Sequence, residues 1–243
     1  MSLTQFIFIA GIVLVASLIQ ALFGFGFALI AVPLMIFVID LPTAVVTATT
    51  VSLVSTSVQW YESRAIQVRA MSRRLILSAL VGLPFGLWLL TNIDAQVMKA
   101  FLGCMVLIGV FLSIKGFDLQ RLPVSFDISM GVLSGLLATA TSTNGPPLVF
   151  LLHSRRYSAD EFRAVLNRVF TISSFISLLM FRFTGNITSD SVFLSLVAIP
   201  VMGLGVFLGI KARPKVNPDH FRTLVVWLLL LSGLSAIFNA ILV

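Results

Sequence analysis

The chain has 243 residues, of which 58% are apolar or aromatic and only 10% charged, and its mean hydropathy is +1.09. A soluble domain of ordinary composition is about 25% charged, so a water-soluble fold of this size could not cover its surface. The net charge of +7 sits in short basic clusters between long apolar runs, which argues against a nucleic-acid binder and for a polytopic membrane protein.

Apolar stretches run over 4–22, 27–39, 43–61, 74–92, 97–115, 128–153, 164–183, 190–210 and 220–242. A membrane helix needs about 20 apolar residues at 1.5 Å rise, and most of these qualify. The start, Met1-Ser2-Leu3-Thr4-Gln5, has no basic residue; it does not resemble a signal peptide and is read as part of the fold. The first stretch ends at Phe23-Gly24-Phe25-Gly26, and 27–39 is too short to span. The stretch 128–153 is broken at Asn144-Gly145-Pro146-Pro147. The lone cysteine, Cys104, leaves no intramolecular disulfide or cysteine cage, and His153 and His220 lie far apart in sequence. No metal and no cofactor is expected.

Basic residues mark the cytoplasmic ends. They gather at Arg64–Arg74, at Lys115 and Arg121, at Arg155–Arg163 and at Lys211–Arg222, while 93–96 and 184–190 carry none. With all four clusters inside, 43–61 runs inward, 74–92 outward and 97–115 inward. The stretch 128–153 must then start and finish inside, most simply as a re-entrant hairpin. By analogy 4–39 is a hairpin entering from outside, and both termini lie outside. The expected fold is therefore an all-α integral membrane protein of two inverted repeats, each a broken or re-entrant helical hairpin plus three transmembrane helices. Residues 1–116 form the first repeat, 117–127 a cytoplasmic linker and 128–243 the second. The glycine pair Gly82 and Gly86 answers Gly205 and Gly209 at the corresponding place, and inverted repeats with broken helices are a recurring transporter plan.

Each break is expected to begin a short helical arm, over Phe27–Phe37 and over Leu148–His153, with Pro33 kinking the first. Gly24, Gly26 and Gly145 free the backbone for turns and for close approach of a ligand. A helix start offers free N–H groups and a positive dipole end, which favour an anion. Other polar groups could join. Gln20 sits one turn before the first break. Thr43, Thr47 and Thr50 form a stripe on 43–61, though each hydroxyl can equally bond its own helix. Ser158 and Glu161 read as a capping box, which puts Arg168 about 15 Å along its helix. Asn167, Thr171 and Ser174 share its face. Arg168 either contacts an anion or snorkels to the headgroups. Trp60, Tyr61, Trp88 and Trp227 read as interfacial or packing aromatics. The carboxylates all fall in loops or at segment ends, which weighs against a cation channel or a metal transporter.

The run Gln20-Ala21-Leu22-Phe23-Gly24-Phe25-Gly26-Phe27 through Val32-Pro33-Leu34 resembles the first-repeat motif of the TauE/SafE family of sulfite and organosulfonate transporters. Asn144-Gly145-Pro146-Pro147-Leu148, followed by Glu161-Phe162-Arg163-Ala164, resembles the second-repeat motif, and the likeness covers nearly the whole chain. The resemblance implies a multi-pass protein of the bacterial inner membrane that moves small sulfur anions, usually outward. Related thiosulfate carriers rely on cysteines; Cys104 lies far in sequence from either motif.

The expected function is a secondary transporter for sulfite or an organosulfonate, working by alternating access, with membrane lipid around it and a homodimer as the expected assembly. An importer or channel for small organic anions such as sulfoacetate is the alternative. The expected substrate-binding residues are Gln20, Phe23, Gly24, Phe25, Gly26, Thr47, Thr50, Asn144, Gly145, Pro146, Pro147, Asn167, Arg168 and Thr171. An intramembrane enzyme would need a supported nucleophile or a metal cluster at depth. His153 beside Ser154 has no carboxylate to support it, so the chain is read as a non-enzyme.

Overall fold

The computed structural model describes residues 3–94 and 122–215 continuously, with single positions at 96, 97, 100, 104, 223, 227, 230, 234 and 238. The expected spans 97–115 and 220–242, with His220, fall outside the described residues except at those positions. Eight α-helices are described: α1 Leu3–Phe23, α2 Phe27–Met35, α3 Leu41–Glu62, α4 Arg69–Asn92, α5 Val124–Thr141, α6 Gly145–Ser154, α7 Ala159–Phe183 and α8 Ser189–Ala212. Six of them (α1, α3, α4, α5, α7 and α8) are long and apolar enough to cross a membrane. No strand occurs among the described residues. The protein is an all-α membrane protein.

Local chemistry sets the helix starts. The Asp40 carboxylate accepts the Thr43 N–H at 3.0 Å and opens α3, with Pro42 in the first turn. Ser158 and Glu161 form the expected capping box on α7, and Thr188 with Ser191 does the same for α8. Three boundaries differ from the sequence reading. The first arm stops at Met35, two residues after Pro33, and turns into the Asp40 cap. The second arm begins at Gly145 rather than Leu148, because prolines at the start of a helix lose no intrahelical bond. Helix α5 begins at Val124, inside the stretch expected to be linker.

That early start has an electrostatic reason. Asp127, 1% exposed in the first turn of α5, accepts from Arg74 of α4 at 2.5 Å and from Arg155, just past α6, at 2.6 and 3.0 Å. Arg155 also donates to the Leu122 carbonyl. The chain therefore leaves the α5–α6 hairpin at the level where it entered. The start and the end of the hairpin are thereby tied together.

Small residues bring the long helices into backbone contact. Gly82 and Gly86 of α4 lie against Val132 and Leu136 of α5, while Gly131 and Gly135 of α5 lie against Ser78 and Ala79 of α4. A side chain at any of these four glycines would strike the facing helix. Thr139 fixes the register by donating to the Leu83 carbonyl at 2.6 Å. On the other flank Gly205 and Gly209 of α8 lie against Leu14, Leu18 and Ala21 of α1. Both pairs run parallel. Helices α3 and α7 pack together between them, and α3 also meets α8 as α7 meets α4.

Asp127→Ala takes the buried carboxylate from Arg74 and Arg155, whose own side chains are 36% and 17% exposed, a loss of about 1.5–3 kcal/mol. The apparent melting temperature in detergent is expected to fall strongly. Asp160→Ala removes an exposed ion pair to Arg163 and is expected to change stability by less than about 1 kcal/mol in the same measurement.

Candidate functional site

The first break is built on three residues. The Gly24 N–H donates to the Gln20 carbonyl at 2.7 Å and closes α1. Gly24 and Gly26 take φ of 84° and 102°, where a side chain is strained. The last carbonyls of α1 are met from outside: Arg213 Nε donates to Ala21 O at 2.7 Å, and Arg163 Nη1 to Leu22 O at 3.1 Å. Two cations at a helix C-terminus also complement its negative dipole end. Gly26 then caps α2 with no side-chain hydrogen bond.

The second break closes itself. Ser142 adopts φ 59° and donates its N–H to Ala138 O, while the Thr143 N–H reaches Leu137 O. Such a left-handed residue is the usual device for ending a helix, though it is usually glycine. The Ser134 hydroxyl donates to Asn144 O at 2.8 Å, and the Thr141 and Thr143 hydroxyls share a 2.5 Å bond. Asn144 then opens α6, again without a side-chain cap.

The two breaks meet. Phe25 packs on Gly145, where a Cβ would stand 3.5 Å from the Phe25 ring and 3.8 Å from Phe170. Phe25 also sets its ring edgewise to Phe162 at 6.2 Å. Beside this contact lies a cavity of about 10 Å³, lined by Gly26–Leu29 of the first break, by Ser142–Gly145 of the second, and by Gln20, Ser52 and Phe170. It has room for about one water, so this conformation is nearly closed. Ser52 lies ten residues before the end of α3 and Phe170 eleven after the start of α7. Both are about 15 Å from those ends, half of an apolar layer about 30 Å thick.

Electrostatically the cavity receives the starts of α2 and α6. The first-turn N–H groups of a helix have no intrahelical acceptor. Phe27, Ala28 and Leu29 supply such groups, the first intrahelical acceptor being Gly26 O for Ile30. In α6 Pro146 and Pro147 have no N–H, so α6 offers the Gly145 amide and its dipole. The amide donors therefore come mainly from the first break.

Of the expected residues, Gln20, Gly26, Asn144 and Gly145 line this cavity, while Gly24, Phe25, Pro146 and Pro147 belong to the breaks or the start of α6 and are not among its lining residues. Gln20 is held at both ends, its Nε2 donating to Ser52 Oγ at 3.3 Å and its Oε1 accepting from Ser55 Oγ at 2.8 Å. Phe23 ends α1 in the apolar core. Thr47, Thr50, Asn167, Arg168 and Thr171 are not among the lining residues. Thr47 Oγ1 and Asn167 Oδ1 are buried without a hydrogen-bond partner. Thr50 bonds the Val46 carbonyl of its own helix, and Thr171 donates to Thr56 at 3.0 Å. Arg168 departs furthest from the anion-contact reading. Its Nη2 donates to the carbonyls of Ile66 and Arg64 at 2.8 and 3.4 Å, in a separate pocket beyond the end of α3. The cause is side-chain direction: helical side chains lean toward the N-terminus, and here that is away from the breaks.

The expected set lacks Phe27, Ala28, Leu29, Ser52, Ser142, Thr143 and Phe170, all of which line the cavity. The polar run Thr139–Asn144 is a signal for Ser142 and Thr143, and the expected arm from Phe27 is one for Phe27–Leu29; Ser52 and Phe170 look like their helical neighbours. The described residues hold no cluster of three or more His, Cys, Asp and Glu side chains.

A Cβ on Gly24 would stand 2.9 Å from Arg163 Cγ and 3.1 Å from its Cα. Gly24→Ala is expected to cost about 1–3 kcal/mol in thermal unfolding. Gly185→Ala, at φ +74° in open space, is expected to cost less.

Residues 9–236 match the family described as sulfite exporter TauE/SafE. The protein named "Probable sulfite/organosulfonate exporter TauE" of Cupriavidus necator is 27% identical over 233 residues, which is 91% of this chain and 90% of that one. The "Probable inner membrane transporter protein TsaS" of Comamonas testosteroni is 28% identical over 164 residues, covering 64% of this chain and 66% of the relative. No solved structure matches the chain significantly.

Proposed function

The chain belongs to the sulfite exporter TauE/SafE family, and from that premise we propose that it carries a small sulfur oxyanion, sulfite or an organosulfonate, outward across the inner membrane by alternating access. That it is a membrane transporter and not an enzyme follows from the family itself. The substrate class rests on the printed name of the Cupriavidus relative. One observation supports the site: the uncapped starts of α2 and α6 line one cavity halfway across the apolar layer.

In this reading the oxyanion sits where the cavity is, hydrogen-bonded by first-turn amides of α2 and the Gly145 amide, with Ser52, Ser142 and Thr143 hydroxyls completing its shell. Helix starts bind anions in this way. Selectivity for a small pyramidal or tetrahedral oxyanion comes from the aromatic walls, Phe27 and Phe170, which leave little room beside the donors.

The repeats 1–116 and 128–243 are the moving halves. Their inverted relation is supported by the reciprocal packing: α4 lies on α5 through glycines, and α8 on α1 through glycines at the answering positions. A cavity with room for about one water must widen to admit sulfite, so the state described here is the closed one between two open ones. Both termini lie on the periplasmic side in this arrangement. Sulfite is partly hydrogen sulfite near neutral pH, so a proton can travel on the substrate; among the described residues no carboxylate lines the cavity to carry it instead.

Labelled sulfite flux in oriented vesicles tests both the substrate and the direction. Gly145→Leu, which fills the contact between the breaks, is expected to abolish flux with expression intact. Gly145→Ala meets only ordinary contacts at 3.5 Å and is expected to retain flux within about threefold, less than about 1 kcal/mol. Equal loss in both variants, or flux of carboxylates but not of sulfur anions, would contradict the reading.

A further inference from the structure

A second basic site lies apart from the breaks. At the junction of α3, α4 and α7 a pocket of about 570 Å³ is lined by Arg64, Arg69, Arg73 and Arg168 and by no acidic residue. None of these four arginines has a carboxylate partner among the described residues. Two further atoms are buried in it without a hydrogen-bond partner: Ser72 Oγ, on a residue 3% exposed, and Arg168 Nε, on a residue 7% exposed. Helix α4 starts here with Arg69, without an acidic residue in its first turn and without a side-chain cap. Cations at a helix start oppose its dipole, so the site is electrostatically incomplete. Arg64 is nonetheless held in place, its guanidinium 4.0 Å above the Tyr61 ring.

Among the described residues the pocket's lining passes into apolar side chains along α4. Its wall continues down α4 as Leu77, Val81 and Phe85, exposed at helical spacing to 55%, 56% and 61%. An aqueous anion has no use for that stripe, but an acyl chain does. We propose that the pocket binds the phosphate of an anionic glycerophospholipid, with its acyl chain along Leu77 and Val81. The phosphate oxygens accept from Arg69, Arg73, Ser72 and Arg168 Nε, and they sit on the positive end of α4. Basic pockets between membrane helices at the cytoplasmic surface take lipid headgroups by this chemistry.

Native mass spectrometry of the purified protein, titrated with phosphatidylglycerol, reads the site directly. Phosphatidylcholine with the same chains serves as the zwitterionic arm, and inorganic phosphate and sulfite serve as chain-free anions. Wild type is expected to hold phosphatidylglycerol but not phosphatidylcholine, and neither phosphate nor sulfite should displace it. The double variant R69Q/R73Q, both at exposed positions, is expected to weaken phosphatidylglycerol binding roughly tenfold or more. Arg182→Gln, exposed at the far end of α7, is expected to leave it unchanged. Undiminished binding in R69Q/R73Q, an equal loss in R182Q, or displacement by phosphate or sulfite would overturn the proposal; the last would assign the pocket to a free anion.

Discussion

Hydrocarbon contains nothing to hydrogen-bond a peptide group, so each interruption of a helix at membrane depth must find its partners within the protein. This constraint orders the structure around the two breaks. At each one a helix ends, exposing carbonyls, and another begins, exposing amides. Several of the carbonyls at these ends are met within the protein. Arg213 and Arg163 reach the end of α1, and the turn at Ser142 and Thr143 closes the end of α5. Neither following helix has a side-chain cap. The amide starts face one cavity, and in the proposed function the oxyanion completes them.

The rest of the polar interior holds the breaks at that place. Gln20 ties α1 to two serines of α3, and Gln59 of α3 accepts from the same Arg213 that closes α1. Thr49 of α3 reaches Ser142 in the second break, and Thr56 reaches Thr171 of α7. Hydroxyl and amide bonds of this sort are worth only about 0.6–2 kcal/mol within a membrane bundle. They suit the proposed function, in which this seam is remade as the halves move. The ionic ties lie at the surface ends instead, where Asp127 and Glu62 meet their arginines. The glycine contacts of α4 with α5 and of α8 with α1 leave no slack, so each of these pairs is closely locked together.

Much of this was legible in the sequence because the bilayer imposes a length. Twenty apolar residues announce a span, and the six described spans sit where the apolar runs are. The breaks were legible because only glycine and proline mark them; the capping box on α7 was legible from Ser158 and Glu161 alone. The parity of basic clusters even required the α5–α6 hairpin to return, as the Asp127–Arg155 contact does. What stayed hidden depends on tertiary contact. The start of α5 at Val124 reflects an aspartate neutralised by residues 53 and 28 positions away. Ser142 occupies a left-handed position where glycine would be the expected signal. Arg168 belonged on its helix as expected, but its reach was decided by side-chain direction, and it serves the pocket below rather than the cavity between the breaks.

The account stands or falls on where an oxyanion sits. Selenite has the shape and charge of sulfite and carries an anomalous scatterer, so crystals of the protein grown with it give the position directly. The account predicts a selenium peak between the first turn of α2 and Gly145, with oxygens about 3 Å from those amides. A protein that transports selenite but shows its peak elsewhere, with the cavity between the breaks unoccupied, would contradict it.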